Sequence, residues 1–405
     1  MLQIRSLEDA QQFYSWLQEM RETHPVWLDE NSGYWHVFRS QDVSRVLADY
    51  QHFSSERSLL TQSQSSVAQR TLLGLDPPEH RRYRNLVAPF FTPQALATRL
   101  SARIAAITQE LLEQARPTGH MDVASDFAYP LPATVIAELL GVPSTDLPRF
   151  KQWSDELSVR LEREEDVPQP GEDEQQATKS IHWVQEEMFA YFERVLRERQ
   201  SAPRDDLISA LTQASVEGER LGEEEIISFC FVLLRAGHVT TTGLLSQAIR
   251  CFDEHPDALS HLQRHPEHMP GAIEEVLRYA SPAWKLPRIA RDNATINGIA
   301  IPKGAQIVVW LSSANRDEEQ FPDPERFDIA RSPNRHMAFG HGIHLCVGAP
   351  LARLEASIAL PMLLAQLPDL HVKRSERVLS GGFGPFDFRH LPVTFTPSSP
   401  AGVAG

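Results

Sequence analysis

Residues 339–348 read Phe339-Gly340-His341-Gly342-Ile343-His344-Leu345-Cys346-Val347-Gly348, and this stretch decides the fold. One cysteine stands inside a glycine-rich loop, just ahead of a helical pattern at 349–367. Glycines let the backbone approach a sulfur closely, so that amide N–H groups can hydrogen-bond it. The helix start adds a positive dipole end, which favours the thiolate. Zinc sites and iron–sulfur clusters take several thiolates, and no second cysteine lies near this one. Cys230 and Cys251 fall in a long apolar helix among Phe229, Phe231 and Phe252, and read as small buried hydrophobes. One thiolate on a large planar cofactor, a haem iron with an axial cysteine, is the familiar arrangement that remains.

Working outward, apolar residues recur at helical spacing over 1–25, 40–50, 79–90, 93–116, 131–141, 146–163, 179–200, 223–252, 257–264 and 268–280. Two β-prone runs, Val26–Leu28 and Tyr34–Phe38, flank Asn31-Ser32-Gly33, a hairpin signal. Further β character lies at Ile289, Ile299–Ile301 beside the Asn297-Gly298 turn, and Gln306–Leu311. Residues 54–74 are Ser- and Gln-rich and read as irregular. The acidic, Pro- and Gly-bearing run 162–176 reads as a solvated linker between helices. After 367 the chain alternates turn residues and short strands. We read one mainly α domain with a minor β region over 1–397, and a frayed tail over 398–405.

The 405 residues could hold two or three domains at about 150 residues each, but no linker divides them. Hydrophobic residues are 41% and charged residues 23%, which excludes collagen-like and disordered chains. Lys+Arg is 39 against Asp+Glu 54, a net charge of −15, so no basic field exists to hold nucleic acid. Three cysteines make no disulfide framework. The N-terminus carries Arg5, Glu8 and Asp9 and lacks an apolar core, so it reads as neither signal peptide nor anchor. No uninterrupted apolar run approaches the ~18 residues of a membrane span. The expectation is a monomeric cytoplasmic protein.

The loop resembles that of the cytochrome P450 family in its soluble bacterial form, matching Phe-Gly-x-Gly-x-His-x-Cys-x-Gly at all six fixed positions. Four more segments share the resemblance in the family's order: Asp76-Pro77-Pro78-Glu79-His80-Arg81-Arg82-Tyr83-Arg84, Ala236-Gly237-His238-Val239-Thr240, Glu275-Val276-Leu277-Arg278 and Pro324-Glu325-Arg326-Phe327. The fold it implies is a mainly helical prism with small β-sheets. The cofactor it implies is haem b (iron protoporphyrin IX), with Cys346 as axial thiolate and metal ligand.

The resemblance also assigns residues. Ala236, Phe339, Gly340 and Gly348 would line the haem, Phe339 limiting water near the sulfur. His80, Arg84, Arg288 and His344 would meet the propionates, the arginines as bidentate partners. Glu275, Arg278 and Arg326 would form a buried structural network. Thr240 would handle oxygen at a local opening of its helix.

Two positions depart from the family pattern. Val239 stands where an acid usually precedes the threonine, and valine carries no proton. Proton delivery would then run through Thr240 and water, through His238 or through the substrate. Arg235 stands where an apolar residue is usual. Val232, Ala236 and Thr240 repeat at i, i+4 and i+8 and would face the haem, with Arg235 and Val239 in the flanking row. An arginine there needs an anion or water, so Arg235 is a candidate for a substrate carboxylate. By position, 58–74, 150–185, Phe231–Thr240, Ala283–Leu286 and Gly382–Phe386 would shape the pocket. Trp284, Leu286, Phe383 and Phe386 suit a hydrophobic substrate.

The function implied is an enzyme: a haem-thiolate monooxygenase that hydroxylates or epoxidises a small hydrophobic, in one version acid-bearing, molecule. The chain has no flavin or nicotinamide segment, so a ferredoxin and its NAD(P)H reductase are the implied partners. They would dock at a basic patch of Arg81, Arg82, Arg335 and Arg353. A peroxide-driven peroxygenase acting on carboxylates is the alternative, and a haem-thiolate sensor without turnover a further one. The retained Thr240 argues against both.

Overall fold

The computed structural model of the protein describes residues 7–56, 71–150, 152–153, 156, 174–379 and 387–398. Its α-helices, in chain order, are α1 (Leu7–Thr23), α2 (Ser40–Ala48), α3 (Glu79–Val87), α4 (Pro93–Ala115), α5 (Pro130–Leu140), α6 (Glu174–Ser201), α7 (Leu207–Gln213), α8 (Glu223–Glu254), α9 (Pro256–Arg264), α10 (Met269–Tyr279), α11 (Leu311–Ala314) and α12 (Ala349–Gln366). The helical spacing read from sequence finds most of these.

Helix α8 organises the body. Glu223, Glu224 and Glu225 fill its first turn, where the dipole favours acids. Glu225 Oε2 accepts from the Gly222 N–H at 2.8 Å. Its length and apolar content would also suit a membrane crossing. Here, however, its faces are covered by α5, α6, α10 and α12, and Phe229, Leu234, Leu245, Ile249 and Phe252 are buried. Contact with α5 is close enough that a Cβ on Gly237 would lie 2.8 Å from Ile136 Cδ1. Helix α4 is capped by Thr92, whose hydroxyl accepts from the Ala95 N–H at 3.3 Å, and it packs along α12.

A five-stranded sheet lies beside the helices in the order β1 (Val26–Asp29), β2 (Tyr34–Val37), β8 (Gln306–Trp310), β5 (Lys285–Ala290) and β3 (Phe53–Ser54). The first hairpin is as read: Val26 pairs with Val37 and Asp29 with Tyr34, and Gly33 takes φ +73°. Strand β2 runs parallel to β8 with Trp35 opposite Ile307, while β5 runs antiparallel to β8 with Leu286 opposite Val309. Val37, Val309 and Ile307 form a second core against Val43 and Leu47 of α2. Asn297 and Gly298, both at positive φ, turn β6 (Ala294–Ile296) into β7 (Ile299–Ile301). A three-stranded sheet, β4 (His120–Asp122), β12 (Pro392–Thr394) and β9 (His371–Val372), and the pair β10 (Val378–Leu379) with β11 (Phe388–His390) gather the C-terminal strands.

Four readings need correction or completion. Helix α8 stays regular through Thr240, and the widened turn is a π-helix at Ala124–Ala128 instead. There the Asp122 N–H donates to Asp126 Oδ2 and the Ala124 N–H to Asp122 Oδ1, so carboxylates take up backbone donors. Helix α7 was not foreseen; Asp206 caps it by accepting from the Ser209 N–H at 2.8 Å. Ser398, expected in the frayed tail, donates its N–H to the Arg116 carbonyl at 3.1 Å. Most of the irregular stretch before residue 71, most of the 146–163 helix, and 399–405 lie outside the described residues.

Candidate active site

The cysteine loop is a chain of tight turns between α11 and α12. Gly340 (φ +74°) closes one by donating to the Met337 carbonyl at 2.9 Å, and the Cys346 N–H donates to the Phe339 carbonyl at 2.9 Å. Gly342 (φ +72°) lies against the end of α2, where a Cβ would stand 2.7 Å from the Leu47 carbonyl oxygen. Of the three cysteines only Cys346 is exposed. Burial of the sulfur among loop atoms pushes its thiol up from the ordinary value. The N–H groups of Gly348 and Ala349, then the charges of Arg84 and Arg353, pull the other way. This is a sulfur with one accessible face and amide donors around it, as a thiolate ligand requires.

Arg84 reaches the loop from α3, donating to the Ile343 carbonyl at 3.0 Å and the Leu345 carbonyl at 2.6 Å. Here its guanidinium clamps the loop backbone. Arg353 lies 4.5 Å above the Phe339 ring and is bidentate to Glu274 at 2.7 Å on both arms. Burial would raise the Glu274 carboxyl, but Arg353 and His336 (Nε2 at 3.0 Å) bring it down to about 2.

The structural network forms, with one member changed. Glu275 is fully buried and takes Arg278 Nε at 2.9 Å and Nη2 at 2.8 Å. Its remaining partners are Arg331 Nε, Asn334 Nδ2 and the Asp328 N–H. Arg326, the expected third side chain, is exposed and contributes only its carbonyl, which accepts from Arg278 and Arg331. The turn at Asp323 (φ +49°), closed by the Arg326 N–H, sends that side chain outward and leaves the place to Arg331.

His80 and His344 meet with ring centroids 4.3 Å apart. Their Nε2 atoms are buried and have no hydrogen-bond partner among the described residues. Burial lowers His80 to about 4 and lowers His344 as well. Arg288 is 6% exposed and donates to the Pro287 carbonyl at 2.7 Å. No carboxylate among the described residues ion-pairs with it. Burial draws it down to about 10, Asp76 acting the other way. Two orphaned imidazole nitrogens and an uncompensated buried guanidinium fit the carboxylates of an anionic cofactor. With the accessible thiol, this donor set fits haem.

On α8, Ala236 is exposed, Val232, Val239 and Thr240 are half-buried, and the Thr240 hydroxyl donates to the Ala236 carbonyl at 2.9 Å. His238 lies on the opposite side of the helix, buried, with Nδ1 on the Leu234 carbonyl and its ring edge-on to Tyr129. That position removes it from the proton routes read from sequence. The Arg235 side chain, Phe383 and Phe386 lie outside the described residues. Leu286 approaches the loop, its Cδ1 3.7 Å from where a Cβ on Gly340 would be. Trp284, expected to line the pocket, instead packs its ring on Phe13 and Trp310 at 5.2 and 5.8 Å.

The expected basic patch is half spent. Arg82 is paired with Glu225 and Glu219, and Arg353 with Glu274. Arg81 and Arg335 are exposed, as is Leu345 at 46%. Sequence reasoning missed Glu274, Arg331 and Asn334. Asp76 was within a quoted motif and received no role.

Comparison with known proteins agrees with this geometry. The family described as Cytochrome P450 matches residues 1–368. The putative cytochrome P450 YjiB of Bacillus subtilis is 41% identical over 374 residues, 91% of either chain. The erythromycin C-12 hydroxylase of Saccharopolyspora erythraea is 38% identical over 394 residues, 96% of either chain. The crystal structure of CYP109E1 from Bacillus megaterium in complex with corticosterone superposes with a TM-score of 0.86 at 38% identity, over 96% of this chain and 100% of that one. The chain belongs to the cytochrome P450 family, whose members are monooxygenases that carry haem b on an axial cysteine thiolate.

Proposed function

We propose that this protein inserts one atom of dioxygen into a C–H or C=C bond of a small hydrophobic substrate, with Cys346 as the axial ligand. The observation that carries the reading is the loop itself: an accessible sulfur between amide donors, with two orphaned imidazoles and a buried arginine nearby. The haem, when bound, supplies the reductive activation of dioxygen, which thiolate donation favours. His80, His344 and Arg288 hold its carboxylates, and Phe339 keeps water from the sulfur. Thr240 holds a proton at Oγ1, and its oxygen can accept from a water while its hydrogen stays on the Ala236 carbonyl. With valine at 239, proton movement falls to Thr240 and water.

Electrons come from a ferredoxin with its NAD(P)H reductase, which docks where Arg81 and Arg335 stand exposed with Leu345. The net charge of −15 suits a soluble monomer in the cytoplasm. Arg235 pairs with an acidic group of the substrate. That role is tested by titrating the ferric protein with free acids and their methyl esters, following the Soret band. Acids should bind at least about tenfold more tightly, and Arg235→Leu should abolish the difference; equal binding of the esters contradicts it. Turnover with ferredoxin, reductase and NAD(P)H tests the reaction. Product should need this electron supply, and an equal rate with hydrogen peroxide alone would establish the peroxygenase instead.

A further inference from the structure

Among the basic groups suited to the haem propionates stands one acid, Asp76, where an acid repels a propionate. It is 1% exposed. Its Oδ2 accepts from the Ser54 hydroxyl and from Arg291 Nη2. Its Oδ1 takes the Ser55 N–H at 3.4 Å and lies 3.7 Å from His344 Nε2, in contact but too far for a hydrogen bond. Its carbonyl accepts from the His80 N–H at 3.0 Å, and its own N–H donates to Glu56 Oε1 at 3.1 Å. One buried residue thus joins the end of β3, the residue after β5, the start of α3 and the cysteine loop. Burial would raise its carboxyl, but its donors hold it well below the usual carboxylate range. Arg291 compensates the charge in part only, because it also faces Glu56 Oε2 at 3.6 Å.

We propose that Asp76 is a positioning residue: it sets His344 and the start of α3 against the cysteine loop, and it places a fixed negative charge beside His344, one of the residues that would hold a haem carboxylate, where that charge would keep the potential of a bound haem low. A fixed negative charge opposes the addition of an electron nearby, and the opposition is strong where water is excluded. This inference rests on the haem-thiolate reading above.

The test uses the haem-loaded protein as wild type, Asp76→Asn and Asp76→Glu. Three readouts are taken: the ferric/ferrous midpoint potential, the rate of haem transfer to excess apomyoglobin, and the reduced-CO spectrum. Asp76→Asn keeps the shape and loses the charge. Its potential should rise, and its haem should leave about tenfold faster if the weakened Arg291 and Ser54 bonds to residue 76 loosen His344 and α3 by more than the lost repulsion gains. Asp76→Glu keeps the charge, so its potential should stay near wild type although haem leaves faster. Equal potentials in all three proteins, or equal shifts in both variants, overturn the charge role. If Asp76→Asn yields no holoprotein, Arg291→Gln decides: with Asp76 less compensated, the potential must fall, and no shift or a rise overturns the proposal. A wild-type protein without the thiolate CO band would instead overturn the haem-thiolate reading, and this inference with it.

Discussion

The two sides of the candidate site are built by different physics. On the cysteine side a cluster of polar groups is spent on one another. Glu275 takes two arginines, an asparagine and an amide, Glu274 takes Arg353 and His336, and Arg84 clamps two carbonyls of the loop. On the α8 side, Val232, Ala236 and Val239 offer no polar side-chain atom, and Thr240 offers a single hydroxyl bonded within its own helix. Many mutually dependent bonds fix the first side, and size and shape fix the second. Placement of the sulfur is therefore a property of many residues of the fold, whereas the α8 side chains described here make few polar commitments to it.

If that contrast is right, damage on the first side is structural and large. Glu275→Ala leaves Arg278 and Arg331 buried without their carboxylate, and should cost about 3–5 kcal/mol. Urea denaturation of the holoprotein measures it, and a loss under ~1 kcal/mol would break the contrast. Arg331→Ala should cost about 2–3 kcal/mol, since it removes a charge-assisted bond to a buried acid. Arg326→Ala should stay within ~0.5 kcal/mol. The reverse order would restore Arg326 to the network.

Glu355 sharpens the comparison, because it breaks the rule of its own side. It is fully buried on α12, and neither carboxyl oxygen has a partner among the described residues. Burial raises its carboxyl well above the usual value. The folded state therefore favours the protonated form. Its favourable contribution is complete below the ordinary carboxylate value of about 4.3 and is lost as pH rises toward the folded value. The slope is about 1.4 kcal/mol per pH unit within that interval. Glu355→Leu should flatten the fall in stability that sets in above the ordinary carboxylate value and raise stability at the alkaline end of that fall. An unchanged profile contradicts this account.

The smallest effect on folding belongs to the α8 side. Thr240→Ala should unfold within ~0.5 kcal/mol of wild type, yet divert NAD(P)H electrons from product to hydrogen peroxide. Assaying peroxide per NAD(P)H consumed checks this, and an undiminished product yield would remove Thr240 from the proton route.

Legibility in the sequence followed the same division. The cysteine loop, the Glu275–Arg278 pair and both hairpin turns were readable because their chemistry is local: positive-φ glycines, an i,i+3 ion pair, Asn-Gly. Longer-range pairing was not. Arg82 meets Glu225 across 143 positions and Arg353 meets Glu274 across 79, so two arginines read as a docking patch are internal ion pairs. Arg326 was assigned from its place in a short motif, while the chain's direction at Asp323 gave the role to Arg331. The opening implied at Thr240 by the family resemblance is absent from a regular helix, and the π-helix at Ala124–Ala128 had no sequence signal.

The central claim is that this over-determined loop holds a thiolate on iron through Cys346. The reduced-CO spectrum of the haem-loaded protein, beside that of Cys346→His, tests it most directly. The account predicts the red-shifted Soret band of thiolate-ligated haem in the wild type and its loss in Cys346→His. An imidazole-type band in the wild type, or a thiolate band that survives the substitution, would contradict it.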